Sequence, residues 1–156
     1  MGYLFQSLRA IIPTIITQLL NKKISKIKLG NINVKRDFNF ITDTVDGFFS
    51  TIKSEKIIGE TINIGNNYEI TIKEIFKIIS DQTNIHKKII IDKQRVRSSS
   101  TEVKRLWASN KKAKKLLGWE PKFKNKLGIE KGIKITLDWY KNPENIKKFK
   151  TDIYNI

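Results

Sequence analysis

Apolar residues recur at helical spacing several times along this 156-residue chain, separated by short runs patterned like strands. Val45, Phe48, Phe49 and Ile52 fall at i, i+3, i+4 and i+7, and Ile72, Ile75, Phe76 and Ile79 repeat that stripe. Residues so spaced share one face of a helix. Helices are therefore predicted over 42–54, capped by Thr42 or Asp43, and over 72–82, capped by Thr71. Gly59 stops the first of these segments. Ile129, Ile133, Leu137 and Tyr140 mark a last helix. Near the start, Ser7 can cap a helix running to about Asn21, with Pro13 kinking it or marking a new first turn. Ser109 is read as the cap of a short helix, "NKKAKKLLG", that ends at Gly118.

Strand signals fall between these helices. "SKIKLGN" reads as a strand ending in a Gly–Asn turn, and 34–41 as a second. "ETINIG" at 60–65 is a strand closed by glycine, followed by the turn "NN" and the strand-like "YEI". "KKIIID" at 87–92 has the continuous apolar centre of a buried strand. The stretch 93–106 is loop-like, and the lysine-rich tail from Pro143 onward is expected to fray. Strands alternating with helices predict an α/β fold. There are only about four strands, however, and no glycine-rich phosphate loop follows any of them.

Composition adjusts this picture in a few respects. At 39% hydrophobic and 10% aromatic, the chain belongs with folded proteins, and its length suits one domain. It has no cysteine, which excludes disulfides, thiolate metal sites and a Cys nucleophile. The net charge of +16 invites a nucleic-acid partner. Yet the chain is crowded with Lys, Ile and Asn, all encoded by A/T-rich codons, and its lysines are spread rather than gathered into a stripe. Nucleic-acid binding is therefore the disfavoured alternative. The apolar run "AIIPTIITQLL" is too short for the roughly 20 residues of a membrane span. It also lacks the flanks of a signal peptide. A cytoplasmic location without membrane contact is expected.

Against 26 lysines the five arginines stand out, because only a planar guanidinium grips phosphate with a fixed fork. Arg36 opens "RDFNF", where strand alternation would put it on a face with Phe38 and Phe40. It is either a surface ion pair with Asp37 or a phosphate clamp beside an aromatic ring. Arg95, Arg97 and Arg105 crowd "QRVRSSSTEVKRLW", which is either a solvated loop or a second phosphate site. Glu102 could then accept from ribose hydroxyls. Gly65 is a plain turn or a point of close backbone approach. His86 reads as surface, and Asp43 and Asp46 as residues of a helix start. No metal-ligand spacing occurs.

Four segments in order carry a resemblance: "RDFNFITDTVDGFF", "INIGNNYEITIKEI", "RVRSSSTEVKRLWASNKKAKKLLGWEPK" and "GIEKGIKITLDWY". Together they resemble the extended short-chain dehydrogenase/reductases, the NAD-dependent nucleotide-sugar epimerases and dehydratases. The stretch "STEVKRLWASNKKAKKLLGW", with "RAIIPTIITQLL" upstream, most resembles the N-acetylglucosamine nucleotide 4,6-dehydratases of legionaminic-acid-type pathways.

The resemblance implies that residues 6–142 are the C-terminal, substrate-binding portion, with most of the Rossmann sheet outside it. Residues 1–5 would be a non-matching leader, since Tyr3-Leu4-Phe5 stands where the family has Gly-Pro-Arg, and 143–156 a basic tail. In the family, NAD takes a hydride from sugar C4, water leaves across C5–C6, and the hydride returns to C6. The G-x-x-G-x-x-G turn for NAD and the Tyr-x-x-x-Lys pair are missing from these residues, so the chain is expected to be inactive alone. A separate N-terminal Rossmann half is the implied partner, and a nucleotide sugar the implied ligand. Arg36 and Arg97 would grip the diphosphate, Phe38 would lie near the nucleotide, Glu102 would meet the ribose, and Asn63 and Gly65 would close a strand beside the base. A 4-epimerase fragment is the alternative within the family. Without the missing sheet, the "INIG" strand and the helix faces beside it would leave apolar surface without a partner.

Overall fold

Three helices with a buried apolar stripe form the centre of the molecule. The computed structural model describes residues 10–96, 98 and 100–146. Helix α1, Ile11–Leu20, buries Ile12, Ile15, Ile16 and Leu19. Pro13 lies in its first turn, where the missing N–H costs nothing, so it starts the helix rather than kinking it. Ser7 lies outside the described residues. Helix α3, Ile72–Thr83, opens with a reciprocal bond pair between Thr71 and Glu74 and ends at Asn84 in the left-handed conformation. Helix α5, Asn125–Lys141, buries Ile129, Ile133, Leu137 and Tyr140. These faces meet in one core with Ile27, Leu29 and Ile70.

Two small sheets flank that core, which makes the fold α/β. Strand β1, Lys26–Leu29, pairs in parallel with β4, Lys88–Ile91, so that Ile27 lies beside Ile89. The other edge of β1 is closed by a side chain. Gln18 Oε1 accepts from the Lys28 N–H (2.8 Å) while its Nε2 donates to the Lys28 carbonyl (3.1 Å), as a neighbouring strand would. Strand β4 is less buried than its sequence implied, with Ile91 49% exposed, because β1 is its only neighbour among the described residues.

The second sheet has β2, Lys35–Asp37, between antiparallel β3, Glu69–Thr71, and parallel β5, Arg105–Leu106. The strand predicted over 34–41 is thus three residues long, because Phe40 already caps α2, Ile41–Ile52. The stretch 93–106, read as loop, contains β5 and a 3-10 turn at Lys93–Arg95.

Three further expectations need correction. Neither Thr42 nor Asp43 caps α2. Asp43 is buried and accepts instead from the N–H groups of Lys122 (3.0 Å) and Phe123 (2.9 Å). That bond pair ties α2 to the turn between α4, Lys111–Leu117, and α5. Asn110, not Ser109, precedes α4, and Gly118 ends it at φ 63°. Residues 60–65 form no strand, since no other strand among the described residues lies alongside to pair with them. Pro143–Ile146 add a short helical turn, α6, and the rest of the tail lies outside the described residues.

Candidate functional site

The central strand β2 carries the candidate site, because it places alternate side chains in different surroundings. Asp37 faces two loops at once. Its Oδ1 accepts from the Asn66 N–H (3.0 Å), and its Oδ2 accepts from those of Asn67 (3.1 Å) and Ala108 (3.3 Å). Burial pushes the Asp37 carboxyl above its ordinary value, and the three N–H donors offset part of that push. Asp37 therefore welds the 65–67 turn to the segment that follows β5. It does not pair with Arg36, so the surface ion-pair reading of "RD" is replaced by this structural one.

Arg36 points to the other partner. Its Nη1 donates to the Lys35 carbonyl (2.8 Å), and its Nη2 lies 3.6 Å from Glu102 Oε1. At that length the contact is an ion pair rather than a hydrogen bond. Both side chains are largely covered, at 21% and 13% exposure, so the pair is a held arrangement and not a passing surface contact. Most of the five N–H donors of the guanidinium make no bond within the described residues. The structure thus brings two sequence-predicted residues together, 66 positions apart in the chain.

The other candidates fall differently. Gly65 is a point of close approach, but what approaches is the chain itself. A Cβ there would stand 2.7 Å from the Ala108 Cβ and 3.3 Å from Asp37 Oδ2. Phe38 is half-buried against the core, since β2 ends at Asp37 and the alternation argument stops there. Asn63 is exposed on the irregular 60–64 segment. Arg97 lies outside the described residues. His86 is exposed, as expected, with Nδ1 3.0 Å from Ser80 Oγ.

Sequence reasoning missed two asparagines. Buried Asn66 donates to the carbonyls of Phe38 (3.1 Å) and Phe123 (2.9 Å) and accepts from the Asn125 N–H (3.2 Å). Asn110 Nδ2 donates to the Gly65 carbonyl (3.0 Å). The polar doublet "NN" signals a turn but not the partners it holds. One open groove lies between α2 and the α4–α5 turn, lined by Phe49, Lys53 and Trp119, and another between the end of α2 and α4, lined by Ser54 and Leu116; neither is lined by Arg36 or Glu102.

A family model described as GDP-mannose 4,6 dehydratase matches residues 6–132. The chain belongs to the extended short-chain dehydrogenase/reductase family of NAD-dependent epimerases and dehydratases. Within that family it is 39% identical over 124 residues to a UDP-glucuronate 4-epimerase of Thermodesulfobacterium geofontis, covering 78% of the chain and 34% of the relative. It is 32% identical over 116 residues to GDP-mannose 4,6 dehydratase 1 of Arabidopsis thaliana, covering 73% and 30%. Among solved structures, a dTDP-glucose 4,6-dehydratase of Bacillus anthracis in complex with NAD superposes with a TM-score of 0.77 at 26% identity, over 92% of this chain and 42% of that one. A UDP-glucuronic acid 4-epimerase of Bacillus cereus with UDP-glucuronic acid and NAD gives 0.73 at 25%, over 87% and 41%. The chain spans about a third of the length of these curated relatives.

The solved dTDP-glucose 4,6-dehydratase and UDP-glucuronic acid 4-epimerase both hold NAD. Among the described residues, the three junctions from strand to α-helix run through Phe38–Phe40, directly through Thr71 and through Trp107–Asn110, and none contains the glycine that lets a pyrophosphate reach a helix N-terminus. No group of His, Asp or Glu among the described residues could hold a metal, and no described helix is long and apolar enough to cross a membrane.

Proposed function

We propose that residues 6–142 are the nucleotide-sugar-binding portion of an NAD-dependent nucleotide-sugar 4,6-dehydratase. The observation that carries this reading is the covered Arg36–Glu102 pair beside the loops that Asp37 pins. A guanidinium with unspent donors is the residue type a diphosphate calls for. Arg97 would supply the second grip. Glu102 holds the Arg36 fork by charge and offers carboxylate oxygens to ribose hydroxyls. Phe38, Asn63 and Gly65 would border the nucleotide. The finer assignment, to an N-acetylglucosamine nucleotide as substrate, rests on the "STEVKRLWASNKKAKKLLGW" segment.

The chemistry of this chain's own residues is binding and orientation. NAD, held elsewhere, would supply the hydride exchange in the whole enzyme. The test is titration calorimetry of the chain with UDP-, GDP- and dTDP-sugars. Arg36→Ala and Arg97→Ala should each weaken the preferred ligand by about tenfold to a hundredfold, the worth of a charge-assisted hydrogen bond. Glu102→Gln should narrow the preference for ribo- over deoxyribonucleotide. Affinity that follows phosphate number and salt alone, blind to base and sugar, would refute the proposal and mark a polyanion-binding surface.

A further inference from the structure

The small β1–β4 sheet has one closed edge and one open one. On the closed side Lys28 turns its N–H and C=O to Gln18, while on the β4 side the Leu29 carbonyl accepts from the Asp92 N–H (2.8 Å). Backbone groups alternate sides along a strand. Since Asp92 donates toward β1, the N–H and C=O groups of Ile89 and Ile91 point the other way, out of the sheet's far edge. Strand β1 is the only neighbour of β4 among the described residues, and no turn or loop bonds to these groups there.

The side chains divide by face across the same sheet. Residues paired in register share a face, so Lys26, Lys28, Lys88 and Ile90 line the outer side and Ile27, Leu29, Ile89 and Ile91 the core side. The core row runs from buried Ile27 and Leu29 out to Ile91, 49% exposed, and stops there unfinished. On the outer side Lys26, Lys28 and Lys88 are exposed, and so is Ile90. None of these lysines, nor Lys93 just past the strand, has a carboxylate within ion-pair distance among the described residues, whereas lysines of the second sheet, the α4–α5 turn and α5 do. Asp92 is already engaged by Arg95 (3.3 Å). Far apart in sequence, these unpaired lysines meet on one sheet.

A lysine-bordered edge deters pairing with its own kind, because a second copy would bring two chains of net charge +16 together along it. The same charge attracts an acidic strand. We propose that the open edge of β4 docks an extended segment of a partner protein in which apolar and acidic residues alternate. The segment's backbone pairs with the free N–H and C=O groups of Ile89 and Ile91, as in strand addition to a sheet edge. Its period of two then lays the apolar side chains beside Ile89 and Ile91 and the carboxylates beside Lys88. A nucleic acid would satisfy the lysines but neither the backbone groups nor the isoleucines. The edge includes neither Arg36 nor Glu102, so the inference is independent of the nucleotide-sugar reading.

The probe is a fluorescein-labelled peptide, Gly-Glu-Val-Glu-Val-Glu-Val-Gly, titrated with the full chain and followed by fluorescence anisotropy. Saturable one-to-one binding is expected, with slowed hydrogen exchange at the Ile89 and Ile91 amides. A peptide of the same composition, with its glutamates and valines in separate blocks, should bind at least about tenfold more weakly. Lys88→Glu should weaken the alternating peptide by about tenfold too, with the melting temperature of the chain unchanged, since Lys88 is exposed and unpaired. Ile91→Pro deletes an outward donor without touching the β1 ladder and should act likewise. If the proline variant melts early, Lys88→Glu alone decides. No saturation below about 1 mM, equal affinity for the two peptides, indifference to Lys88→Glu, tighter binding of a short single-stranded DNA, or a homodimer broken by Ile91→Pro would each overturn the proposal.

Discussion

Replacing Asp37 with asparagine tests whether one carboxylate organises both flanks of the Arg36 site. The carboxylate accepts three N–H bonds through two oxygens. An amide has one acceptor oxygen and one donor nitrogen, so whichever way it turns, its NH2 group faces at least one N–H. With the oxygen kept toward Asn67 and Ala108, the bond to Asn66 is lost, at about 1.5–3 kcal/mol for a bond to a charged group. The remaining two become neutral bonds and weaken, while relief of the carboxylate's desolvation, the larger influence on its raised pKa, returns much of the loss. The net expectation for Asp37→Asn is a destabilisation of roughly 1–2 kcal/mol, set by the NH2 group forced against an N–H. Urea unfolding followed by tryptophan fluorescence should show a lower midpoint with an unchanged slope. On the proposed reading, nucleotide-sugar affinity should fall as well, because both loops beside Arg36 loosen. A variant within about 0.5 kcal/mol of the parent, the range of ordinary surface substitutions, would refute this account.

Gly65→Ala should cost about 1–3 kcal/mol by forcing its new methyl against Ala108, and adding Ala108→Gly should restore part of that loss; independent, additive effects in chemical denaturation would contradict the close-packing argument. Thr71→Ala removes the α3 cap and should lower stability by about 1 kcal/mol near neutral pH. The Thr71 hydroxyl bond holds the Glu74 carboxyl below its ordinary 4.5, so the stabilisation is present above that value and is lost as pH falls through the depressed one. Melting curves should therefore show the gap between parent and variant closing in acid, and a gap that widens there would count against it. Asp37 runs the opposite way: its raised pKa favours the fold at low pH, and that contribution is lost as pH rises through the raised value.

What was legible in the sequence follows how local each signal is. The α3 and α5 stripes and the Thr71 cap depend on neighbours within one or two turns, and they appear where the periodicity put them. For α2 the same reasoning found the helix but could not say which side faces inward. Periodicity reports that a helix has two faces, and what lies against each is a tertiary matter. Residues 60–65 have strand composition but no neighbouring strand, and β structure requires a partner that composition alone does not supply. Asp37 and Asn66 were read as an ion pair and a turn because their partners lie up to 71 and 59 residues away. Arg36 stood out as one of five arginines and Glu102 as the carboxylate of the arginine-rich loop, the family resemblance gave both the same roles, and the structure sets them side by side.

The pairing of β1 with β4 has a consequence for the order of assembly. Nearly 60 residues separate Leu29 from Lys88, and closing a loop of that length costs about 3–4 kcal/mol of chain entropy before any contact compensates it. Such a sheet is a poor nucleus and a late event. Gln18 changes what β1 does meanwhile. Only ten residues upstream, its side chain satisfies both backbone groups of Lys28. An α1–β1 hairpin can therefore form from local contacts and hold the strand extended, leaving one edge free for β4 once α3 has folded just ahead of it.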